Sequence, residues 1–202
     1  DSVLQSTVGY NYYGINVTGS YDSIVNLTVV HNYYGINVTG NNDSVLQSTV
    51  GYNYYGINVT GLYNRFVGDR FQGDGLVLLE PNYEVVSNDT VNGRPLVYLY
   101  DASNVTVSNA GEVIAVNSKY VRVVGVNVSN ANAGVQLLDV NDSVIEDVVA
   151  IGDNCYGIFV AGTNDSVVNS TVSDNVFGVV VAGTDDSVVG STVSYNSRYG
   201  IF

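Results

Sequence analysis

Apart from its carboxylates, this chain of 202 residues has few side chains that could carry chemistry. It contains one His (His31), one Cys (Cys155) and one Lys (Lys119), and neither Met nor Trp. Copper requires imidazole or soft sulfur ligands gathered at one place, and His31 and Cys155 are far apart in the sequence. We therefore expect no copper site, and no cofactor apart from the Ca²⁺ considered below.

Carboxylates raise the question of carbohydrate cleavage, because glycoside hydrolysis uses two placed carboxyl groups. The strongest cluster outside the repeat pattern contains Arg65, Asp69, Arg70 and Asp74. The pair Asp185–Asp186 merely repeats a position that other segments also fill. No catalytic signature accompanies either group, so we predict that the chain is not an enzyme and assign no catalytic residue.

Aspartates also open most of the repeated segments, and the sequence leaves two interpretations open. The carboxylates could accept backbone N–H groups at turns. Alternatively, they could stack about 4.8 Å apart and together hold a hard cation such as Ca²⁺. The residues concerned are Asp1, Asp22, Asp43, Asp142, Asp165 and Asp186.

Eleven Asn-x-Ser/Thr sequons provide candidate sites for glycosylation, a modification of exposed loops and surfaces in secreted proteins. Strand alternation predicts that Asn16, Asn37 and Asn58 point outward. Asn104 and Asn127 complete the set of candidates.

Internal repeats determine the elements that position these groups. Residues 1–19 recur unchanged at 43–61, with a close variant at 22–40 and further copies at 142–162, 165–183 and 186–202. Short apolar–polar alternations between Gly, Asn and Asp predict strands. Since equivalent strands recur in one direction, they should stack in parallel. We predict an all-β, right-handed parallel β-helix of about ten coils of roughly 21 residues.

The predicted organisation is one domain over 1–202. It has near-identical coils at 1–61, irregular coils with a loop at 62–102 and further coils at 103–202. We predict that Leu4, Val8, Ile15 and Val17 and their equivalents, among them Val25 and Val149, face inward. Ladders of Asn and of Tyr or Phe should run along the coils. The asparagines are Asn11, Asn32, Asn53, Asn154, Asn175 and Asn196, and glycines such as Gly14 should form corners with positive φ.

The composition excludes some classes of binding partner. Hydrophobic residues make up 46% of the chain and charged residues 12%, with a net charge of −13. A chain this acidic cannot neutralise phosphates, so we exclude nucleic acid and anionic lipid as electrostatic partners. No apolar run reaches the length of a membrane span.

The phrases DSVxxSTVxxNxYGIxV and Asn88–Asp147 resemble the NosD-type parallel β-helix repeat family, also called periplasmic copper-binding-like. The resemblance implies a right-handed β-helix exported to the cell surface, as in archaeal surface-layer or sheath proteins. The group mixes sugar-active enzymes, metal-insertion accessories and structural proteins, so it implies function only weakly.

The terminal segments suggest a function, since both are in phase with the repeat and neither shows a cap. Asp1, Ser2, Val3 and Leu4 at one end, and Tyr199, Gly200, Ile201 and Phe202 at the other, are predicted assembly edges. We expect an extracellular structural protein that pairs with itself, head to tail or laterally, in a surface layer, sheath or filament. The alternatives are a fragment of a longer protein, and a carbohydrate-binding or carbohydrate-cleaving β-helix with surface glycans as partners.

Overall fold

Strands are the only regular elements in the part of the chain that the structure, a computed structural model, describes: residues 1–153 and 155–202. The predicted all-β parallel solenoid is confirmed, with about nine turns of roughly 21 residues in place of ten. Contacts divide the chain into two units, Asp1–Pro95 and Leu96–Phe202. Among the described residues no helix is long and apolar enough to cross a membrane.

Unit one contains short strands that repeat three to a coil. They are β1 (Ser2–Leu4), β2 (Thr7–Gly9), β3 (Tyr13–Val17), β4 (Ser23–Val25), β5 (Thr28–Val30), β6 (Tyr34–Val38), β7 (Ser44–Leu46), β8 (Thr49–Gly51), β9 (Tyr55–Val59), β10 (Arg65–Val67), β11 (Arg70–Gln72), β12 (Leu76–Leu78), β13 (Val85–Ser87) and β14 (Thr90–Val91).

Three parallel sheets line unit one, because each strand pairs with its equivalent one coil away. Their orders are β1-β4-β7-β10-β13, β2-β5-β8-β11-β14 and β3-β6-β9-β12. The register follows the sequence repeat, so that Ser2 pairs with Ser23 and Ser23 with Ser44.

The last part of unit one is a tight hairpin, where a loop was predicted. Strand β14 pairs antiparallel with the start of β15 (Arg94–Tyr100). The two residues between them, Asn92 and Gly93, both have positive φ. This is the conformation of a type I′ turn, for which Asn-Gly is the preferred sequence.

Unit two begins within β15 at Leu96 and has the same type of coil. Its other strands are β16 (Thr106–Val107), β17 (Glu112–Val116), β18 (Arg122–Val124), β19 (Ala133–Asn141), β20 (Val144–Glu146), β21 (Val149–Ile151), β22 (Tyr156–Thr163), β23 (Ser166–Val168), β24 (Thr171–Ser173), β25 (Phe177–Val181), β26 (Ser187–Val189), β27 (Thr192–Ser194) and β28 (Tyr199–Ile201). Parallel ladders connect β15-β17-β19-β22-β25-β28, β16-β18-β20-β23-β26 and β21-β24-β27.

The inward faces form an aliphatic core, but one predicted position is wrong by a residue. Val29, Ile36 and Val38 are buried as predicted, whereas Ile24 is buried and Val25 is only half-buried. A second prediction is wrong by one residue in the opposite direction, since Ala150 and not Val149 is buried in unit two.

Left-handed residues at the corners explain this shift. In the described part of the chain, twenty-four non-glycine residues have positive φ, and most of them directly precede an inward polar or aliphatic side chain. Gln47, for example, has φ 52° and is followed by buried Ser48. Because an αL residue turns the chain sharply, it sets which side of the next strand faces the core.

The glycines at the second position of the third strand of each coil have a different role from the one predicted. Gly14 and Gly35 do not have positive φ, so they are not left-handed corners. A methyl group at Gly35 would lie 2.6 Å from the carbonyl oxygen of Gly56. Glycine is therefore required there by the close approach of successive coils.

Candidate functional site

Inward polar residues at the three corners of unit one form ladders along the coils. In each ladder, the side-chain oxygen of one coil accepts the backbone N–H of the equivalent residue in the preceding coil. The first ladder is Asp1, Asp22, Asp43, Asn64 and Glu84, and the third is Asn11, Asn32, Asn53 and Asp74. The second is Ser6, Leu27, Ser48, Asp69 and Asp89, in which apolar Leu27 donates its N–H to Ser48 but supplies no side-chain oxygen to Ser6.

The first ladder shows the hydrogen bonds that the repeated aspartates of unit one make. The backbone N–H of Asp22 donates to Asp43 Oδ1 at 2.8 Å, and that of Asp43 donates to Asn64 Oδ1 at 2.9 Å. These side-chain oxygens accept backbone N–H groups, which is the type of hydrogen bond that the turn interpretation predicts. The donor lies in the preceding coil. Among the described residues, no group of three or more His, Cys, Asp or Glu could hold a metal ion.

Unit two places Asp165 and Asp186 on a ladder of the same type but leaves Asp142 out. Ser143 N–H donates to Asp165 Oδ1 and Asp165 N–H to Asp186 Oδ1, both at 2.8 Å. Asp142 is an exposed corner residue with φ 54°, whose carboxylate accepts Asn164 Nδ2. The prediction for Asp142 is therefore wrong, because the repeat is 22 residues between Ser143 and Asp165.

The asparagine ladder of unit two contains an aspartate as well. Asp153 Oδ1 accepts Ala131 N–H at 2.6 Å, and Asp153 N–H donates to Asn175 Oδ1 at 2.8 Å. Asn154, which we predicted to be the ladder residue, lies outside the described residues. Asn175 and Asn196 occupy their predicted positions.

Four ladder carboxyls of unit one have pKa values raised toward or above neutrality. Burial raises the pKa of Asp69 to about 8, that of Asp74 to about 7, that of Glu84 to about 8 and that of Asp89 to about 6. Desolvation penalises the charged form in each case. The second oxygens of Asp69 and Asp89 have no hydrogen-bond partner among the described residues.

The off-pattern cluster does not assemble into a catalytic site. Asp69 and Asp74 are fully buried as ladder members, whereas Arg65 and Arg70 are exposed on the outer face. The ladder role of Asp69 and Asp74 was not predicted. The spacing in the sequence indicates it, because these residues lie 21 positions after Ser48 and Asn53.

The two candidate copper ligands, His31 and Cys155, belong to different units. His31 is exposed and stacks between Tyr10 and Tyr52, with ring centroids 5.3 and 5.6 Å apart. Cys155 is buried in unit two. A lone imidazole held between two phenol rings and a lone buried thiol do not fit a copper centre, which needs several such ligands at one point.

The aromatic ladders predicted from the repeat are present in unit one. Tyr13, Tyr34 and Tyr55 stack with centroid distances of 5.0 and 4.9 Å. A second stack, Tyr12–Tyr33–Tyr54, runs beside it. Ring faces within both stacks cover one another, so the solvent meets mainly ring edges and hydroxyl groups.

The five sequon candidates differ in exposure. Asn16, Asn104 and Asn127 are exposed, Asn37 is half-buried, and Asn58 is buried with 9% of its surface accessible. Asn58 Nδ2 donates to Asn37 Oδ1, and Asn37 Nδ2 donates to Asn16 Oδ1. The expectation that Asn58 is open to a glycan is therefore wrong, because its amide is covered and hydrogen-bonded.

The predicted assembly edges are exposed rows of backbone and core side chains. Asp1, Ser2, Val3 and Leu4 lie on one edge of unit one. Tyr199, Gly200, Ile201 and Phe202 lie on an edge of unit two, where 55% of Ile201 is accessible although it pairs in register with fully buried Val179.

Known proteins provide a family and two remote structural likenesses. The family described as "Periplasmic copper-binding protein (NosD)" matches residues 62–202. QnrB1, a plasmid-mediated fluoroquinolone resistance protein, is 9% identical with a TM-score of 0.26, over 94% of this chain and 92% of its own. HetL, a pentapeptide repeat protein of heterocyst differentiation regulation from the cyanobacterium Nostoc sp. strain PCC 7120, is 8% identical with a TM-score of 0.25, over 94% and 88%.

No curated protein sequence matches this chain. The family match spans most of the sequence and agrees with the observed parallel β-solenoid. A family described as periplasmic implies an extracellular or envelope location. The chain belongs to the NosD family of β-helix proteins.

Proposed function

We propose that this protein is a structural β-solenoid of the cell surface that self-assembles by stacking one coil on another. The proposal extends to a surface layer, sheath or filament with an acidic and glycosylated exterior. The observation that carries it is the stacking of near-identical coils inside the chain, where the 22–42 coil packs on a coil whose first 19 residues repeat 1–19.

The 43–61 coil shows which sequence packs against this edge of a coil. Residues 1–19 are identical to 43–61, and the same edge of the 43–61 coil is covered by strands β4, β5 and β6 of the 22–42 coil. A coil resembling 22–42 therefore fits the edge of the first coil.

The last coil resembles 22–42 at the inward positions. Val188, Val193 and Ile201 correspond to Ile24, Val29 and Ile36. Apolar side chains at the two edges would then continue the core, which is the driving force for stacking.

Hydrogen-bonding groups match as well. In the last coil, the backbone N–H groups of Asp186, Ser191 and Asn196 have no acceptor among the described residues. In the first coil, the ladder oxygens of Asp1, Ser6 and Asn11 accept no bond among those residues. Stacking the last coil of one molecule on the first coil of the next would join these three donors to these three acceptors.

A structural role also agrees with the placement of the carboxylates. The acidic side chains of the off-pattern cluster hold the coils together from inside, and its arginines lie outside. We propose accordingly that the chain has no catalytic activity and needs no Ca²⁺.

Two matched pairs of substitutions test the stacking. Val3→Lys and Ile201→Lys each place a charge at an inward position of an edge strand. Stacking would bury this charge without a partner, which is costly. Leu4→Lys and Val189→Lys place the same charge on the outer face of the same coils. Wild type should form end-to-end assemblies in electron micrographs, and its mass by light scattering should rise with protein concentration.

The inward variants should remain monomeric at every concentration, with an unchanged circular dichroism spectrum, while the outward variants assemble like wild type. Assembly by Val3→Lys and Ile201→Lys would refute the stacking interface. A wild type that stays monomeric across the concentration range would refute self-assembly itself.

A further inference from the structure

Adjacent pairs of tyrosines cover one side of the first three coils of unit one, and each ring lies on the equivalent ring of the next coil. They form an outer stack, Tyr12, Tyr33 and Tyr54, and an inner stack, Tyr13, Tyr34 and Tyr55. In the outer stack the ring centroids are 5.0 and 4.9 Å apart, with interplanar angles of 4° and 7°. In the inner stack the angles are 13° and 11°. The outer rings are therefore the more nearly parallel.

The outer stack is also the more accessible of the two. The accessible fraction is 62% for Tyr12, 40% for Tyr33 and 38% for Tyr54, whereas Tyr34 and Tyr55 are half-buried. Because the ring faces cover one another, the solvent meets the ring edges, which carry the hydroxyl group and the carbons ortho to it. An oxidant in solution therefore has direct access to the groups that form a phenoxyl radical.

We infer that the outer stack is a modification site, at which a one-electron oxidant couples tyrosines of successive coils into dityrosine. A peroxidase supplied with hydrogen peroxide is an oxidant of this class. It removes one electron and the phenolic proton from each of two rings, and the two radicals join through a bond between carbons ortho to the hydroxyl groups. Each joined carbon then loses its hydrogen as a proton while its oxygen gains one, which restores both phenols. The protein loses two hydrogen atoms in total, and one hydrogen peroxide is reduced to two water molecules.

The stacking of coils positions the rings for this reaction. Two phenoxyl radicals must meet before either is quenched, and the outer stack holds neighbouring rings 5.0 and 4.9 Å apart. Holding two reacting groups together makes their coupling effectively unimolecular. Closer approach needs only a tilt of rings whose edges are exposed, so bond formation leaves the coils in place.

Two other aromatic rows lack a neighbouring pair of this kind. Tyr10 and Tyr52 are 84% and 61% accessible, but His31 lies between them. In unit two, Phe177 interrupts the equivalent of the inner stack. Neither an imidazole nor a phenyl ring carries the hydroxyl group that forms a phenoxyl radical. We therefore expect the arrangement of tyrosine on tyrosine, and not exposure alone, to determine where coupling occurs.

Dityrosine bonds would fasten successive coils of unit one to one another. A bond between Tyr12 and Tyr33 closes a loop of one coil and restricts the unfolded chain, as a disulfide does. This chain has one Cys and therefore forms no internal disulfide. The reaction uses stacking within one molecule, so it is independent of the self-assembly proposed above.

The test oxidises the purified chain at low protein concentration with a peroxidase and limiting hydrogen peroxide. After denaturation, a protease that cleaves before aspartate releases 1–21, 22–42 and 43–68 as separate peptides. A bond between coils joins two of these peptides, and tandem mass spectrometry identifies the tyrosines that it connects. The blue fluorescence of dityrosine measures the yield, and a denaturing gel separates bonds within one chain from bonds between chains.

Two single variants and one double variant examine the role of stacking. Tyr33→Phe removes the central hydroxyl group of the outer stack but keeps the ring. Tyr52→Phe is the matched control, because Tyr52 is an exposed tyrosine of unit one that stacks on His31. His31→Tyr, combined with Tyr33→Phe, completes the row from Tyr10 to Tyr52. The φ values of Tyr10 and Tyr52, 63° and 58°, show that this corner accepts tyrosine.

Wild type should give monomers that have lost two hydrogen atoms, with the bond between Tyr12 and Tyr33 or between Tyr33 and Tyr54. Tyr33→Phe should lose most of this product, and Tyr52→Phe should form it like wild type. The double variant should regain coupling between coils, now within the row of Tyr10 and Tyr52.

An undiminished yield in Tyr33→Phe, or an equal loss in Tyr52→Phe, would overturn the inference. Bonds found mainly in the inner stack would also overturn it, as would products linked only between chains, because the outer stack would then not position the reacting rings. A double variant that regains no coupling would show that stacking of tyrosine on tyrosine does not direct the reaction, which would equally refute the inference.

Discussion

The substitution Asp69→Asn tests the buried ladders most directly, because it keeps one hydrogen bond and removes one ionisable group. Asp69 Oδ1 accepts Ser48 N–H at 2.7 Å, and an amide oxygen can do the same. An unpartnered amide nitrogen in such a ladder already exists at buried Asn64. The variant therefore mainly removes a group that must be protonated in the folded state.

The sign and size follow from the pKa. Burial raises the pKa of Asp69 from 3.8 to about 8. The native carboxyl is thus protonated at pH 7, while the unfolded one is ionised. A raised pKa means that this carboxyl contributes fully below pH 4 and that its contribution is lost as pH rises through 8.

Each pH unit in this window costs the wild type about 1.4 kcal/mol. From pH 4 to pH 7 the free energy of unfolding of wild type should fall relative to that of Asp69→Asn by about 4 kcal/mol. Above pH 8 the difference should become constant. The unpartnered amide of the variant would lower its free energy of unfolding by about 1–3 kcal/mol at every pH. The test therefore uses the change of the difference with pH and not its absolute value.

Urea unfolding followed by tyrosine fluorescence between pH 4 and pH 9 measures this slope. Asn53→Asp is a useful companion, because it adds a carboxyl to the third ladder at a buried position and should steepen the loss with pH. Parallel pH profiles for wild type and Asp69→Asn, to within about 0.5 kcal/mol, would refute the reasoning, since the carboxyl would then ionise equally easily in both states.

Three further outcomes are expected. Gly35→Ala should lower the free energy of unfolding by at least about 2 kcal/mol, because the added methyl group would clash with the next coil. At Gly200 the nearest contact of such a methyl group would be at 3.8 Å, so Gly200→Ala should change the free energy of unfolding by less than about 0.5 kcal/mol. Equal effects of the two substitutions would contradict the role assigned to coil spacing. Chelation of Ca²⁺ should leave the thermal midpoint unchanged because the ladder carboxyls are bound to backbone N–H groups, and a fall of several degrees would show a bound cation. In a glycosylating host, peptide mass spectrometry should find Asn58 unmodified, and a glycan there would contradict its burial.

The ladder residues show how much of the fold the sequence repeat predicts. A period of 21 residues with strands running in one direction is sufficient to predict parallel in-register stacking, since only that arrangement places identical residues side by side. The stacks of tyrosines and of Asn11, Asn32 and Asn53 follow from the same argument, and they are present.

Phase within a coil was less accessible to sequence reasoning. Alternation identifies a strand but does not say which of two adjacent residues faces inward, and Val25 was chosen where Ile24 is buried. The left-handed corner residue before most ladder positions sets that phase, and residues as different as Gln, Tyr, His and Asp occupy such corners. Asn and Asp favour the left-handed region and fill many of these corners, but the Tyr and Gln residues at the other corners give no such signal.

The sequence by itself determined the period, the parallel stacking, the aromatic and amide ladders and the acidic surface, because each depends only on which residues recur at which spacing. Only the folded structure shows that Ile24 and not Val25 is buried, that Ser143 replaces Asp142 on its ladder, and that Asn58 is covered. These outcomes depend on the direction of each side chain after a corner and on coils of 21 or 22 residues, and a one-residue change in either moves a side chain between core and solvent.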